Sequence, residues 1–233
     1  MASPPTYELY TYFRSSCSAR VRIAAHYKGI DLKYHYIHLL KNEQQSESYT
    51  STLNPSKSVP TLVIHNPDGT THAIRQSVAI LEYLEEAHLY SPSLLPPSAD
   101  LLARAQVRDL VNIVASDTQP VTNLRILNKI KPAGIDAQAW QHEFMAAGLE
   151  AYERTIAGVG EGNTGCVGKY SVGDEVTMAD VALCPAVDGA LRFGVDIVGR
   201  FPTIWRVYQE CLELEAFQKG GWRAQEDTPE ELR

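Results

Sequence analysis

The sequence predicts a chain in two parts, a small α/β domain followed by an all-helical domain. Strand-like and helix-like segments alternate up to about residue 88, whereas apolar residues beyond Pro97 recur only at three- and four-residue spacing. Between the two parts, residues 89–98 are rich in Pro and Ser, a composition typical of domain linkers. We therefore expect an α/β domain over residues 1–90 and an all-helical domain over residues 91–233.

The first domain is predicted to contain four strands and two helices. Runs rich in β-branched and aromatic residues mark the strands, and apolar residues at helical spacing mark the helices. The predicted order is β-α-β, an irregular segment, then β-β-α, with Gly29 closing the first helix. The predicted strands are 6–13, 33–39, 61–65 and 72–74, and the predicted helices are 18–28 and one that begins at Ser77.

The second domain is predicted to be a bundle of helices. One helix start carries a capping box, with Thr177 as N-cap and Asp180 three residues later, and Val176 with Val181 can form the accompanying hydrophobic staple. This pattern stabilises a helix end, so we expect it to support the fold without taking part in chemistry. The predicted helices are 99–116, 137–157, 177–192 and 202–217.

Composition excludes several classes of function. The 233 residues are 44% apolar and 21% charged, as in ordinary globular proteins. A net charge of −7 without a Lys/Arg run argues against nucleic acid as a partner. The chain has no apolar run of roughly 20 residues and its first residues do not resemble a signal peptide, so we expect no membrane association. Four irregularly spaced cysteines without a C-x₂-C pair indicate a reducing, cytoplasmic location.

The junction between the first strand and first helix is the strongest candidate for chemistry. Ser15, Ser16 and Cys17 stand where free backbone N–H groups and the helix dipole favour an anion such as a thiolate. Lowering a thiol pKa by about two units requires about 2.7 kcal/mol, more than a helix end usually supplies, so a hydroxyl donor is needed as well. Two simpler interpretations remain open: the serines only cap the helix, and Cys17 is only a small buried apolar residue.

Two further segments suit a peptide-like ligand. Val59 is forced into an extended conformation by Pro60 and can pair with a peptide as a strand would. Gln76 and Ser77 open the next helix, where a ligand carboxylate can bind, although Ser77 alone also suits a simple cap. The sequence by itself does not favour a cis bond before Pro60.

The histidines do not predict a metal site. His35 and His38 are three residues apart on a predicted strand, so they face opposite sides, and His65 with His72 lack a third ligand. We therefore expect no bound metal.

Taken together, these motifs resemble the cytosolic glutathione transferases, and more narrowly their zeta class. That class carries the motif Ser-Ser-Cys-x-Trp-Arg-Val-Arg-Ile-Ala, and the matching segment here is RSSCSARVRIA. The resemblance continues through NPSKSVPTL, VGDEVTMADVALCPAV, RFGVD, FPTI, LEAFQ and DTPEELR, and so covers nearly the whole chain. Ala19 replaces the class Trp, and the hairpin 66–70 is longer than usual, which leaves substrate preference open.

The resemblance implies a thioredoxin-like first domain with a cis-Pro60, a helical second domain and a homodimer. It assigns Ser15 as the hydroxyl that stabilises the glutathione thiolate, with Ser16 and Cys17 completing the junction. Tyr12 is the alternative donor, because other transferase classes use a tyrosine at this place. The remaining glutathione contacts it implies are Gln45, Val59, Pro60, Gln76, Ser77, Gln119 and Asn123, and Arg192 is implied as the arginine that binds the substrate carboxylate.

The reaction implied by the resemblance is glutathione-dependent isomerisation of maleylacetoacetate to fumarylacetoacetate in tyrosine and phenylalanine catabolism. The alternative is conjugation, or dehalogenation of small electrophiles such as α-haloacids, by the same thiolate. Because the substrate is a small dicarboxylate and the chain is acidic, we expect local cations to offset the net charge. The candidates are Arg14, Arg20, Arg22 and Arg192.

Overall fold

A computed structural model describes residues 4–158 and 165–233 of the chain. Its four strands and eleven α-helices follow one another in the order that the sequence predicts, with several short helices added between the expected ones. In chain order the elements of the described part are β1 (Thr6–Thr11), α1 (Ser16–Lys28), β2 (Lys33–Tyr36), α2 (Glu47–Thr52), β3 (Thr61–His65), β4 (Thr71–Ile74), α3 (Ser77–Ala87), α4 (Leu101–Asn112), α5 (Gln119–Val121), α6 (Leu124–Ile130), α7 (Ala137–Ala157), α8 (Met178–Arg192), α9 (Ile197–Arg200), α10 (Pro202–Leu212) and α11 (Glu215–Gly220).

The chain divides into two compact units, and the C-terminal segment belongs to the first. Unit 1 comprises the residues up to Pro92 together with Glu215–Arg233, and unit 2 comprises Ser93–Leu214. The predicted helical domain of 91–233 differs here, because α11 packs on α1. A Cβ on Gly220 would lie 2.6 Å from the Cα of Ile23, so only glycine permits this approach.

Unit 1 is built on a four-stranded mixed sheet with the strand order β2-β1-β3-β4. β1 and β2 are parallel, whereas β1–β3 and β3–β4 are antiparallel. The thioredoxin-like arrangement that the resemblance implies is therefore confirmed. The irregular segment before β3 contains one helix, α2, which the sequence reading did not predict.

The core of unit 1 lies between the sheet and two helices. Leu9 and Leu62 are fully buried side chains of the sheet, and Val21 of α1 packs with them against Ile80 and Leu84 of α3. Burying each such side chain contributes roughly 1.5–3 kcal/mol. This core fixes α1 and α3 on the sheet, and with them the two helix starts that the sequence singles out.

Unit 2 is helical, and α8 is its most buried helix. The predicted capping box is confirmed, because Asp180 accepts hydrogen bonds from the N–H groups of Ser171 and Thr177, both at 2.8 Å. The helix predicted over 99–116 becomes α4 followed by a π-helical segment, Ile113–Thr118. Within the described ranges, none of the helices combines the length and apolar character needed to cross a bilayer.

Candidate active site

The start of α1 is capped by a serine hydroxyl. Ser15 is the N-cap, and its Oγ accepts a hydrogen bond from the Ser18 N–H at 3.1 Å. Because this bond uses an oxygen lone pair, the hydroxyl proton remains available to a second acceptor. Capping therefore does not exclude the donor role, and the two interpretations of Ser15 are compatible.

Ser16 and Cys17 form the first turn of α1. Both are half-buried, Cys17 is a free thiol, and the turn contains no acidic residue. The first backbone N–H groups of a helix have no partner within it, and the dipole makes this end positive. An anion placed here meets backbone donors and no acidic side chain of the turn itself.

The backbone between β1 and α1 is held by hydrogen bonds from a buried arginine, Arg22. Arg22 donates from Nη1 to Thr11 Oγ1 at 2.8 Å and from Nη2 to the Phe13 carbonyl oxygen at 3.1 Å. It also donates to the carbonyl oxygen of Gly220 in the C-terminal segment, and burial lowers its pKa to about 10. Asp227 of the same segment accepts the Phe13 N–H at 2.9 Å. These bonds fix the backbone that leads into Ser15.

Val59 and Pro60 lie directly before β3, and their peptide bond is cis, as the resemblance implies. Ser58 is fixed at its carbonyl oxygen by the Tyr49 hydroxyl and the Asn54 amide, both at 2.8 Å. Among the described residues, neither the N–H nor the C=O of Val59 takes part in a hydrogen bond. Val59 therefore has a donor and an acceptor available for an extended peptide.

The start of α3 is the second helix terminus of the site. Gln76 is its N-cap, is exposed, and makes no side-chain capping bond. Ser77 is 5% exposed, and its Oγ accepts a hydrogen bond from Nη1 of Arg20 at 3.1 Å. Through Arg20, the structure connects the helix of the thiol junction to the start of α3.

Val59 and Gln45 are two further predicted site residues of unit 1. Val59 packs in one cluster with Tyr12 and Phe13, the residues directly before the junction. Gln45 is exposed in a short 3₁₀ turn, where its amide donates to Asn42 Oδ1 at 3.0 Å.

Three predicted site residues belong to unit 2. Gln119 follows the π-helical segment directly and is half-buried. Asn123 is the N-cap of α6, and its Oδ1 accepts the Arg125 N–H at 3.1 Å. Arg192 ends α8, is exposed, and has its guanidinium 4.8 Å from the centre of the Phe193 ring.

Two of the four arginines that we expect to offset the net charge are buried. Arg20 and Arg22 are 1% and 0% exposed, and their guanidinium groups bind Ser77 and the junction backbone instead. Arg14 and Arg192 are exposed.

Sequence reasoning missed the contribution of the C-terminal segment to the site. Asp227 stands in the segment DTPEELR, which was one of the matching motifs, but the motif alone gives no contact. Trp222 and Leu232 also pack against the cluster of Tyr12 and Val59.

Known proteins resemble this chain over its full length. Family models for the N-terminal and C-terminal domains of glutathione S-transferase match residues 14–87 and 147–215. The maleylacetoacetate isomerase maiA of Aspergillus fumigatus is 48% identical over 233 residues, which cover 100% of this chain and 97% of that protein.

Solved structures show the same likeness. The holo structure of maleyl pyruvate isomerase, a bacterial zeta-class glutathione S-transferase, is 38% identical with a TM-score of 0.84, covering 95% of this chain and 100% of that one. Two crystal structures of the maleylacetoacetate isomerase of Anaeromyxobacter dehalogenans 2CP-1 are 38% identical to this chain, each with a TM-score of 0.85. Each match covers 97% of this chain and 99% of the other. One has bound GSH in the active site, and the other has bound dicarboxyethyl glutathione and citrate.

Because family models match both its N-terminal and its C-terminal domain, and its first unit has a thioredoxin-like sheet, the chain belongs to the glutathione S-transferase family. Its place within that family is the zeta class, alongside the isomerases of maleylacetoacetate and maleylpyruvate. The resemblance inferred from RSSCSARVRIA is thereby confirmed.

Proposed function

We propose that this chain is an isomerase that converts maleylacetoacetate to fumarylacetoacetate with glutathione as cofactor, a step of tyrosine and phenylalanine catabolism. The observation that carries the proposal is the Ser15 hydroxyl at the positive end of α1, where its lone pair caps the helix and its proton is available. The full-length likeness to maleylacetoacetate isomerases supports the choice of substrate.

The residues of unit 1 fit a tripeptide thiol. Val59 offers an unused backbone donor and acceptor for the cysteinyl residue, and the start of α3 offers Gln76 and Ser77 for the γ-glutamyl end. Gln45 of unit 1, with Gln119 and Asn123 of unit 2, are proposed as further contacts. Pro60 fixes the conformation in which Val59 is presented.

The chain acts on the thiol of the cofactor through the start of α1. Bound glutathione supplies a sulfur nucleophile that adds to the cis double bond and leaves again after rotation, so that it is regenerated. Ser15 donates a hydrogen bond to the sulfur, worth about 1.5–3 kcal/mol because it is charge-assisted, while the first N–H groups of α1 contribute about 0.3–1 kcal/mol. Together these amount to about 1.8–4 kcal/mol, a range that includes the roughly 2.7 kcal/mol needed to lower a thiol pKa by about two units.

Arginine side chains orient the dicarboxylate substrate. Arg192 is proposed to bind one of its carboxylates in a charge-assisted pair, and Arg14 raises the local potential beside the junction. A related isomerase has dicarboxyethyl glutathione and citrate in its active site, which agrees with a site that accepts anions. We further propose that the protein is a cytoplasmic homodimer.

The deciding experiment follows free thiol during turnover. Purified protein receives a tenth as much glutathione as maleylacetoacetate, or as maleylacetone, and product and free thiol are both measured. An isomerase converts all of the substrate while the thiol concentration stays constant. Thiol loss in step with product, or a halt once substrate equal to the glutathione has reacted, would identify the alternative, a conjugating or dehalogenating transferase. A sample without enzyme measures spontaneous isomerisation.

A further inference from the structure

Arg20 is a buried cation that forms no ion pair with any residue in the described part of the chain. Its side chain is 1% exposed, and its one hydrogen-bond partner among the described residues is the hydroxyl oxygen of Ser77, at 3.1 Å from Nη1. Nε and Nη2 are buried and have no hydrogen-bond partner among the described residues. Charged groups are rarely buried unless they are paired, because the loss of hydration costs several kcal/mol.

The other two buried cations of α1 show what a satisfied site requires. Lys28 lies 2.8 Å from the carboxylate of Glu85 and also donates to the carbonyl oxygen of Pro92 at 2.9 Å. Arg22 donates to four oxygens of the junction and the C-terminal segment. Arg20 therefore differs from both neighbours on the same helix.

The start of α3 lacks an anion as well. The helix spans eleven residues, so its first turn carries an appreciable positive potential. Its first turn contains no acidic residue, and its N-cap, Gln76, makes no side-chain capping bond. Ser77 thus joins two positive groups, the helix end and the Arg20 guanidinium, and neither is balanced within the described part of the chain.

We propose that Arg20 is a positioning residue whose buried charge is balanced by a ligand carboxylate bound at Ser77. Because the Ser77 oxygen accepts a hydrogen bond from Arg20, its own proton is directed to another acceptor. A carboxylate at the start of α3 accepts a hydrogen bond from the Ser77 hydroxyl and further hydrogen bonds from the first N–H groups of the helix. Arg20 acts through Ser77, since its guanidinium does not reach the surface.

This inference rests on the proposed function, in which the carboxylate is the α-carboxylate of the γ-glutamyl residue of glutathione. It adds that the affinity for this group depends on a side chain beneath the site. The prediction is selective: loss of the charge on Arg20 weakens binding of ligands that carry the α-carboxylate and leaves ligands without it nearly unchanged.

The test measures the affinity of two ligands by calorimetry, glutathione and γ-aminobutyryl-cysteinyl-glycine, which lacks only that carboxylate. We expect Arg20→Gln to weaken glutathione binding by about tenfold or more and binding of the analogue by less than about threefold. Lys28→Gln is the matched control, a buried cation on the same helix, and it should leave the ratio of the two affinities unchanged. Equal losses for both ligands in Arg20→Gln would reduce Arg20 to a structural role and overturn the inference.

Arg20→Lys retains the charge and provides the comparison if Arg20→Gln does not fold. It should keep the ratio of the two affinities within about threefold of the wild-type value. A ratio near one in Arg20→Lys, with the wild type still preferring glutathione, overturns the inference alone. A wild-type protein that binds no glutathione at millimolar concentration overturns the proposed function, and the inference with it.

Discussion

Two helix starts, one in each unit, are both capped by a side-chain hydroxyl but differ in whether their first turn contains an acidic residue. Thr177 opens α8 and accepts the Ala179 N–H at 3.2 Å, and Ser15 opens α1 and accepts the Ser18 N–H at 3.1 Å. The start of α8 also contains its own carboxylate, Asp180, whereas the first turn of α1 has no acid.

The carboxylate decides whether the helix end is closed or open. Asp180 is fully buried and uses both oxygens on donors of its own unit, so the positive end of α8 is neutralised within the protein. The first turns of α1 and α3 contain no acidic residue, so these two ends are open to the ligand anions that we propose. A hydroxyl cap alone therefore does not distinguish a structural helix start from a ligand site, but the presence of an internal acid does.

The largest expected effect is on the closed end. Asp180→Ala leaves the N–H groups of Ser171 and Thr177 buried without an acceptor, and each costs about 1–3 kcal/mol. We expect the free energy of unfolding to fall by about 2–6 kcal/mol, measured by chemical denaturation.

Asp136→Ala supplies the control for that measurement. Asp136 caps α7 of the same unit, but the N–H groups of Gln138 and Ala139 that it binds are exposed. Water replaces the lost acceptor there, so the expected loss is about 0.5–2 kcal/mol. Equal losses in the two variants would show that the capping box of α8 is no more important than an ordinary cap.

The start of α8 could be predicted from the sequence because all of the residues that form its capping box are close together in the chain. Thr177, Asp180 and the two flanking valines stand within six residues, and the structure confirms the bonds that their spacing predicts. The junction at Ser15 was equally local, and its N-cap and the C-cap at Gly29 were both predicted. The order of strands and helices along the first domain was predicted for the same reason.

The buried arginines behind the starts of α1 and α3 could not be predicted from the sequence. Arg20 and Arg22 stand on α1 among residues that all become buried, whereas charged side chains are normally exposed, so nothing in the sequence indicates that these two are buried. Their burial depends on contacts across long stretches of chain, with Ser77 and Gly220. Helical spacing likewise identifies a helix near residue 217 without saying which unit it packs on.

The second prediction concerns the start of α1 and its cap, Ser15. Ser15→Ala removes the proposed donor to the glutathione sulfur, so the pKa of the bound thiol should rise by about one to two units. The free energy of unfolding should fall by only about 0.5–2 kcal/mol, the usual cost of a lost cap. Thiolate absorbance of the glutathione complex, titrated with pH, reports the first change. Tyr12→Phe is the comparison variant, and if that variant raised the thiol pKa while Ser15→Ala did not, tyrosine would be the donor.

The third prediction concerns the other end of α8, where Arg192 is exposed. Arg192→Ala should lower kcat/KM for maleylacetoacetate by about tenfold to a hundredfold, the loss of a charge-assisted pair. Conjugation of an uncharged aryl halide should change by less than about threefold, because that substrate presents no anion. Equal losses on both substrates would assign Arg192 to packing around Phe193 and would leave α8 structural at both ends.

The smallest effect is a pH dependence confined to the closed end. Burial raises the pKa of Asp180 above its ordinary value of 3.8, and this outweighs the hydrogen bonds that lower it. The folded protein therefore holds this proton more tightly than the unfolded chain, so the contribution of Asp180 to stability is greatest below pH 3.8 and is lost as pH rises through the folded pKa. The slope for one group is at most about 1.4 kcal/mol per pH unit. Denaturation curves without glutathione, at a series of pH values, should show this fall in the wild type and in Ser15→Ala but not in Asp180→Asn. A wild-type stability that instead rises with pH relative to Asp180→Asn would mean that the hydrogen bonds from Ser171 and Thr177 outweigh burial.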